Sequence, residues 1–132
     1  MEGSVTELSR YRFASGVEAL ADARLIYENG RYKNALNRAY YAIFHAIRAV
    51  NALTGFDSSK HSGVIAYFNQ NYVKSGIFPK ELSKIIHLAS ENREKADYLD
   101  FFIASKEEAA KQIQRAEEFL GWIEKYLHEK EV

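Results

Sequence analysis

Apolar and polar positions alternate with a helical period along most of the chain, and the longest such pattern runs from Tyr32 to Leu53. Two apolar stripes run through it at once. Leu36, Tyr40, Ile43, Ile47 and Val50 form one; Ala35, Ala39, Ala42, Ala46, Ala49 and Leu53 form the other. A helix with two such stripes is expected to be buried on most of its circumference. What remains is a polar line, Asn34, Arg38, Tyr41, His45 and Arg48, in alternating steps of four and three residues. Seven residues of an α-helix come within about 20° of two full turns, so Arg38 and His45 point almost the same way.

Four further helices are predicted around this one. The first spans Thr6 to Glu28 through Phe13, Val17, Leu20 and Tyr27, and Asn29-Gly30 stops it; the residues up to Val5 lack periodicity and are expected to be loose. Its small residues Ala14, Ser15, Gly16, Ala19, Ala21 and Ala23 would let a neighbour come close. Such packing offsets the cost of Gly16 in mid-helix, up to about 1 kcal/mol relative to alanine. The short link to the second helix makes the pair antiparallel. A third, shorter helix covers His61 to Lys74, with Val64, Ile65, Phe68 and Tyr72 on one face. The fourth runs from Pro79 to Asp97 along Leu82, Ile86 and Ala89. Arg93 then takes the next inward place before Ala96, and Asp97 stands four residues beyond, within ion-pair reach.

Ser105 and Glu108 make a capping box for the fifth helix, whose line Ala109, Ile113, Ala116, Leu120, Ile123, Leu127 is the cleanest in the chain. Beside it Phe119, Trp122 and Tyr126 form a second line, to be covered either by the short helix and the Phe101-Phe102 link or by a partner. With no strand-like alternation or internal repeat, the expected fold is all-α. It is an antiparallel four-helix bundle with an additional short helix, residues 1–132 forming a single domain.

Composition narrows the function more than the fold. The 132 residues hold 18 basic and 18 acidic side chains, so the net field offers no argument for binding a long polyanion, and any phosphate site must be local. A local excess exists around the second helix, where Arg24, Arg31, Lys33, Arg38 and Arg48 surround only Glu28. Alternatively this is a solvated basic edge. There is no cysteine, no apolar run near the roughly 20 residues needed to span a bilayer, and no signal-peptide layout, which fits a cytoplasmic protein without membrane association. The four histidines, His45, His61, His87 and His128, have no i, i+3 or i, i+4 spacing, and the glycines form no phosphate-cradling loop. Neither a metal nor a cofactor is expected. His87 and His128 are read as surface residues.

Arg38 and His45 are the first candidates for chemistry. An imidazole exchanges a proton near neutrality, and a neighbouring arginine can hold a phosphate or stabilise its added charge in a transition state. Together they are the minimum for metal-independent RNA cleavage through the 2′-hydroxyl, with Tyr41 placed to stack on a base. The alternative is a polar network in which Arg38, Tyr41 and His45 satisfy one another and Asp97. Arg93 with Asp97 and Tyr98 is the second candidate, because an inward arginine needs an acid or a ligand phosphate. Its alternative is an ion pair that pins the end of the helix.

Four blocks carry a resemblance: Asn29-Gly30-Arg31-Tyr32-Lys33-Asn34-Ala35, Asn37 to His45, Lys60-His61-Ser62-Gly63-Val64, and Arg93-Glu94-Lys95-Ala96-Asp97-Tyr98. In this order they resemble the HEPN domain family of bacteria and archaea, over about Arg12 to Ile123. The resemblance implies a bundle of four long helices and a short one, usually as a homodimer, often encoded beside a minimal nucleotidyltransferase in a toxin–antitoxin module. In the family's ribonuclease branch, an arginine and a histidine separated by four to six residues on a late helix form a metal-independent RNA-cleaving site across the dimer. Here the corresponding places after Arg93 are Tyr98, Leu99 and Asp100. Arg38 and His45 have that spacing on the second helix instead.

The expected function is therefore a HEPN subunit partnered by a nucleotidyltransferase, binding a nucleotide or RNA phosphate through Arg38, Tyr41, His45, Arg93, Asp97 and Tyr98. One alternative is a ribonuclease toxin using His45 with Arg38 or Arg93. Another is a non-catalytic interaction or dimerisation protein using the aromatics of the fifth helix. Tyr98 is in addition a conceivable acceptor of a nucleotidyl group from the partner enzyme.

Overall fold

The computed structural model describes residues 2–132, with side chains described from Ser4 onward. Its elements are α1 (Glu2–Glu28), α2 (Tyr32–Ala52), α3 (His61–Phe68), a π-helical turn (Asn69–Val73) that continues α3, α4 (Glu81–Tyr98) and α5 (Lys106–Glu129). The chain is all-α, a bundle of four long helices with one short one. No strand occurs among the described residues.

The double apolar stripe puts α2 at the centre, in contact with α1, α3, α4 and α5. Leu36, Ala35, Ala39, Ala42, Ala46, Ala49 and Val50 lose all exposure, while Asn37, Arg38, Tyr41, His45 and Arg48 remain partly open along one edge. Gly30, at φ 77°, closes the α1–α2 turn in the left-handed region that glycine tolerates. The helices then pack so tightly that a Cβ on Gly16 would stand 2.9 Å from the Ala42 carbonyl oxygen and 3.5 Å from the Cβ of His45. Close approach is thus what Gly16 provides, at the level of His45.

Several boundaries differ from the sequence reading. The first helix begins at Glu2 rather than Thr6, and its inward line is Ser9, Arg12, Gly16, Ala19, Leu20 and Ala23. Val17 is 48 % exposed. At Gly16 α1 lies almost against the α2 backbone, which leaves no room at that position for a side chain, while Arg12 and Leu20 on the same line have space to pack. Ser9 Oγ, fully buried, donates to the Ala49 carbonyl at 2.8 Å. The fourth helix starts at Glu81 and runs on to Tyr98, and α3 changes pitch after Phe68. The wide π turn lets Phe68, Tyr72 and Val73 all face the core.

At the start of α5 only half of the expected capping box forms. Ser105 Oγ accepts from the Glu108 amide at 3.0 Å, but the Glu108 carboxylate accepts from Arg115 at 2.9 Å and Asn92 at 3.0 Å. A charged partner outcompetes the return bond to Ser105. The α5 line Ala109, Ile113, Ala116, Leu120, Ile123, Leu127 is buried throughout. Its second line is covered from α3 and the segment after it: Phe119 meets Phe68 at 5.8 Å between ring centroids, and Tyr126 meets Phe78 at 5.2 Å. Trp122 stays 39 % exposed, and Phe101, at φ 62°, is wholly exposed and covers nothing. No described helix is long and apolar enough to cross a membrane.

Candidate functional site

The polar edge of α2 divides into two parts. Towards its C-terminal end, Asp57 accepts from Arg12 Nη2 at 3.1 Å and Arg48 Nη2 at 3.0 Å, and Arg12 Nη1 also donates to the Arg48 carbonyl at 3.3 Å. Burial lowers the pKa of Arg12 and Arg48 adds to that, against the raising influence of Asp57. Burial alone would raise Asp57, but the hydrogen bond from Arg48, the Ser58 amide and the charges of Arg48 and Arg12 hold its carboxyl below the usual range.

Towards the middle of the helix the ring of Tyr41 is a hub. Arg38 Cζ lies 5.4 Å from its centroid, Arg93 Cζ 5.6 Å, the His61 ring 5.8 Å and the His45 ring 6.2 Å. Four nitrogen-bearing side chains from three helices therefore surround one aromatic ring. The heptad step on α2 supplies Arg38 and His45, the inward apolar line of α4 delivers Arg93, and the first residue of α3 delivers His61. Each arginine at such a ring gains about 0.5–2 kcal/mol, enough to orient it but not to replace a counter-charge.

Arg93 is the better satisfied of the two. Its Nε donates to Asp97 Oδ2 at 3.1 Å, its Nη2 to Tyr41 OH at 3.4 Å, and its Cζ stands 5.1 Å from the Tyr40 ring and 6.0 Å from the Tyr98 ring. Burial would lower its pKa, but Tyr41, Tyr40, Asp97 and Tyr98 together raise it, so the guanidinium stays charged. Asn37 Nδ2 donates to both Asp97 oxygens at 3.2 Å. Asp97 is thereby occupied by Arg93 and Asn37 and acts as their anchor, not as a partner of Arg38 or His45. Tyr98 is 73 % exposed at the rim.

Arg38 makes no hydrogen bond or ion pair among the described residues, and its Nε is buried without a partner. A buried unsatisfied donor costs about 1–3 kcal/mol. The Nη atoms are not among the buried ones, and the guanidinium lies beside the Tyr41 ring. His45 also has both ring nitrogens without a hydrogen bond among the described residues and outside the buried set. Burial lowers its pKa, and Arg48, Arg38 and Arg12 lower it further, so the imidazole is neutral at neutral pH and able to accept a proton.

The sequence reading missed Asn37 and His61. The lack of metal spacing among the histidines gives His61 no role, and it enters the sequence reading only within the block Lys60 to Val64. A usable signal lay elsewhere: His61 is three residues before Val64 and seven before Phe68, and so shares the apolar face of α3 that docks on α2. The expected basic cluster, in contrast, disperses. Arg24 pairs with Glu117 on α5, Arg48 pairs with Asp57, and Arg31 and Lys33 border a shallow hollow with Gly30, Tyr32, Asn34 and Ala104. His87 and His128 are exposed. No group of three metal-ligating side chains exists among the described residues.

A model of the HEPN domain matches residues 9–126. The chain belongs to the HEPN family. It is 40% identical over 112 residues to a UPF0332 protein of Thermotoga maritima, covering 85% of each chain. It is 38% identical over 112 residues to a Methanocaldococcus jannaschii protein named "Putative toxin MJ0605", covering 85% of this chain and 83% of that one. A second M. jannaschii protein, named "Putative toxin MJ0142", is 30% identical over 115 residues, covering 87% of this chain and 78% of the other. The HEPN match takes in every element of the polar edge, from Arg12 in the Asp57 clamp to Tyr98 at the rim of the Tyr41 site.

Proposed function

We propose that this HEPN chain is the toxin-type subunit of a two-component module with a nucleotidyltransferase, acting as one 132-residue domain, as a homodimer and in the cytoplasm. In that role it binds a nucleotide or RNA phosphate at the Tyr41 hub. The observation that carries the reading is the unpaired Arg38 beside the anchored Arg93: a guanidinium with a buried orphan Nε and open Nη atoms is a site that a phosphate would complete. Tyr41 and Tyr98 offer faces for a base. The names of the two M. jannaschii relatives support a toxin-type role.

His45 favours a second reading, metal-independent RNA cleavage. In that reaction a neutral imidazole removes the 2′-hydroxyl proton, the oxygen attacks the adjacent phosphorus with loss of the bond to the 5′-oxygen, an arginine stabilises the added negative charge, and the leaving 5′-oxygen takes a proton from water while the imidazolium returns its own to solvent. A neutral His45 with unbonded nitrogens, two turns from Arg38 on the same face, has the protonation state for the first step.

One experiment separates the two. Purified wild type, His45→Ala and Arg93→Ala proteins are incubated with a mixed RNA pool in excess EDTA. Cleavage by wild type that is lost in His45→Ala establishes the ribonuclease. Absence of cleavage by folded wild type, with RNA retained in a filter-binding assay, establishes the binder. Absence of both removes the site's proposed role.

A further inference from the structure

The Tyr40–His61 pair is the one feature of the hub that neither arginine explains. Tyr40 is 3 % exposed, its OH lies 3.1 Å from His61 Nδ1, and no other partner for that hydroxyl occurs among the described residues. Burial pushes the Tyr40 pKa up to about 12, with Arg93 opposing and Tyr41 and Glu94 assisting, so the phenol keeps its proton. A buried hydroxyl must donate its hydrogen or lose the bond's worth, and here Nδ1 is the available acceptor. If Nδ1 accepts, the proton of a neutral His61 resides on Nε2. His61 is held neutral by burial, by Arg93 and by Arg48, which lower its pKa. Its Nε2 makes no hydrogen bond among the described residues and is not among the buried atoms, so solvent can reach it. The ring is further fixed against Phe44 at 4.2 Å and edge-on to Tyr41 at 5.8 Å.

We infer that His61 is a ligand-binding residue of the Tyr41 site, whose Nε2–H, aimed outward by the Tyr40 hydrogen bond, donates to a phosphate oxygen of the nucleotide or RNA held by Arg38 and Arg93. The inference rests on the phosphate-binding reading above. It assigns three donors from three helices to one anion: Arg38 from α2, Arg93 from α4 and His61 from α3. It also gives α3 a function besides packing, since Val64 and Phe68 seat the helix and its first residue reaches the site. Tyr40 is the positioning residue, acting through His61 and not touching the ligand.

Two substitutions mimic the two ring nitrogens separately. His61→Asn keeps an acceptor near Nδ1 for Tyr40 but has nothing at Nε2; His61→Gln places an amide N–H near Nε2. With a fluorescently labelled eight-nucleotide RNA of mixed sequence in excess EDTA, His61→Asn is expected to bind about tenfold more weakly than wild type. His61→Gln is expected to remain within about threefold. Wild-type binding by His61→Asn, or an equal loss in both variants, would overturn the inference even if Arg38→Ala abolishes binding and so upholds the site. No binding by wild type would overturn the site and this inference together. Imidazole ¹⁵N spectra of the wild-type protein at neutral pH supply a measurement that needs no variant to fold. Protonated Nε2 and unprotonated Nδ1 are expected for His61, and the opposite tautomer would refute the assignment.

Discussion

The two ends of one helical edge solve the same electrostatic problem differently. At the Arg12–Asp57–Arg48 end, two guanidiniums share a carboxylate and one backbone carbonyl, so their charges are largely answered within the fold. At the Tyr41 end, the one carboxylate, Asp97, is taken by Arg93 and Asn37, and Arg38 is left with the face of Tyr41 alone. Both ends are partly buried on the same helix, so neither sequence period nor burial distinguishes them. What differs is whether a counter-charge reaches them from another element: Asp57, in the turn before α3, reaches one end, and no acid among the described residues pairs with Arg38. The first is a structural clamp between α1, α2 and that turn. The second has unspent donors, and the proposed phosphate site rests on them.

The sharpest way to break this contrast is to exchange the effects of mutation at the two ends. Arg38→Met retains most of the side chain's packing but removes the charge and the orphaned Nε. It should weaken binding of the labelled RNA by tenfold or more while raising unfolding free energy by up to about 1 kcal/mol, since an unsatisfied donor is removed. Urea denaturation and the binding titration read the two quantities; a loss of stability with unchanged binding would make Arg38 structural and end the contrast.

Asp57→Ala tests the other end. It strips both arginines of their counter-charge, and Arg12 is 9 % exposed. Breaking a fully buried pair costs about 3–5 kcal/mol, but Asp57 is half open to water, so about 1–2 kcal/mol is expected, with RNA affinity changed less than threefold. A tenfold change in affinity from Asp57→Ala would show that the two ends work as one site.

The smallest effect concerns pH. His45 and His61 both have folded pKa values below the ordinary histidine value. As pH falls through about 6.5 the unfolded chain takes up protons that the folded chain refuses, so stability declines from pH 7 towards pH 5 and is regained on return. Asp57, depressed in the folded state, adds its own loss only below about pH 4, where the unfolded carboxyl protonates first. Chemical denaturation at pH 7.5 and 5.5 should show the first decline in wild type and a flatter response in the His45→Gln, His61→Gln double variant. An equal slope in both proteins would mean that neither ring is held neutral by the cations around it.

Much of the site was legible in the chain itself. The line Arg38, Tyr41, His45, Arg48 came from helical period alone and emerges on one edge of α2, because 3.6 residues per turn fixes which side chains share a face whatever packs against it. Arg93 was likewise placed inward by its position on the Leu82–Ile86–Ala89 line, and its pair with Asp97 follows from i, i+4 geometry. Val17 is exposed for a physical reason: apolar period finds the greasiest stripe, whereas the face of α1 that meets α2 is set by the close approach at Gly16.

The sequence by itself determined the helices, the central place of α2 and the polar line on it, since these depend on interactions within one or two turns. Only the tertiary structure decided which of those polar groups are answered and which are open. Asp57 reaches Arg12 across 45 residues and His61 meets Tyr40 across 21, and such pairings depend on how elements dock, not on the period of either one. A helix can specify the direction in which an arginine points; whether it meets a carboxylate or an open face is settled by its neighbours.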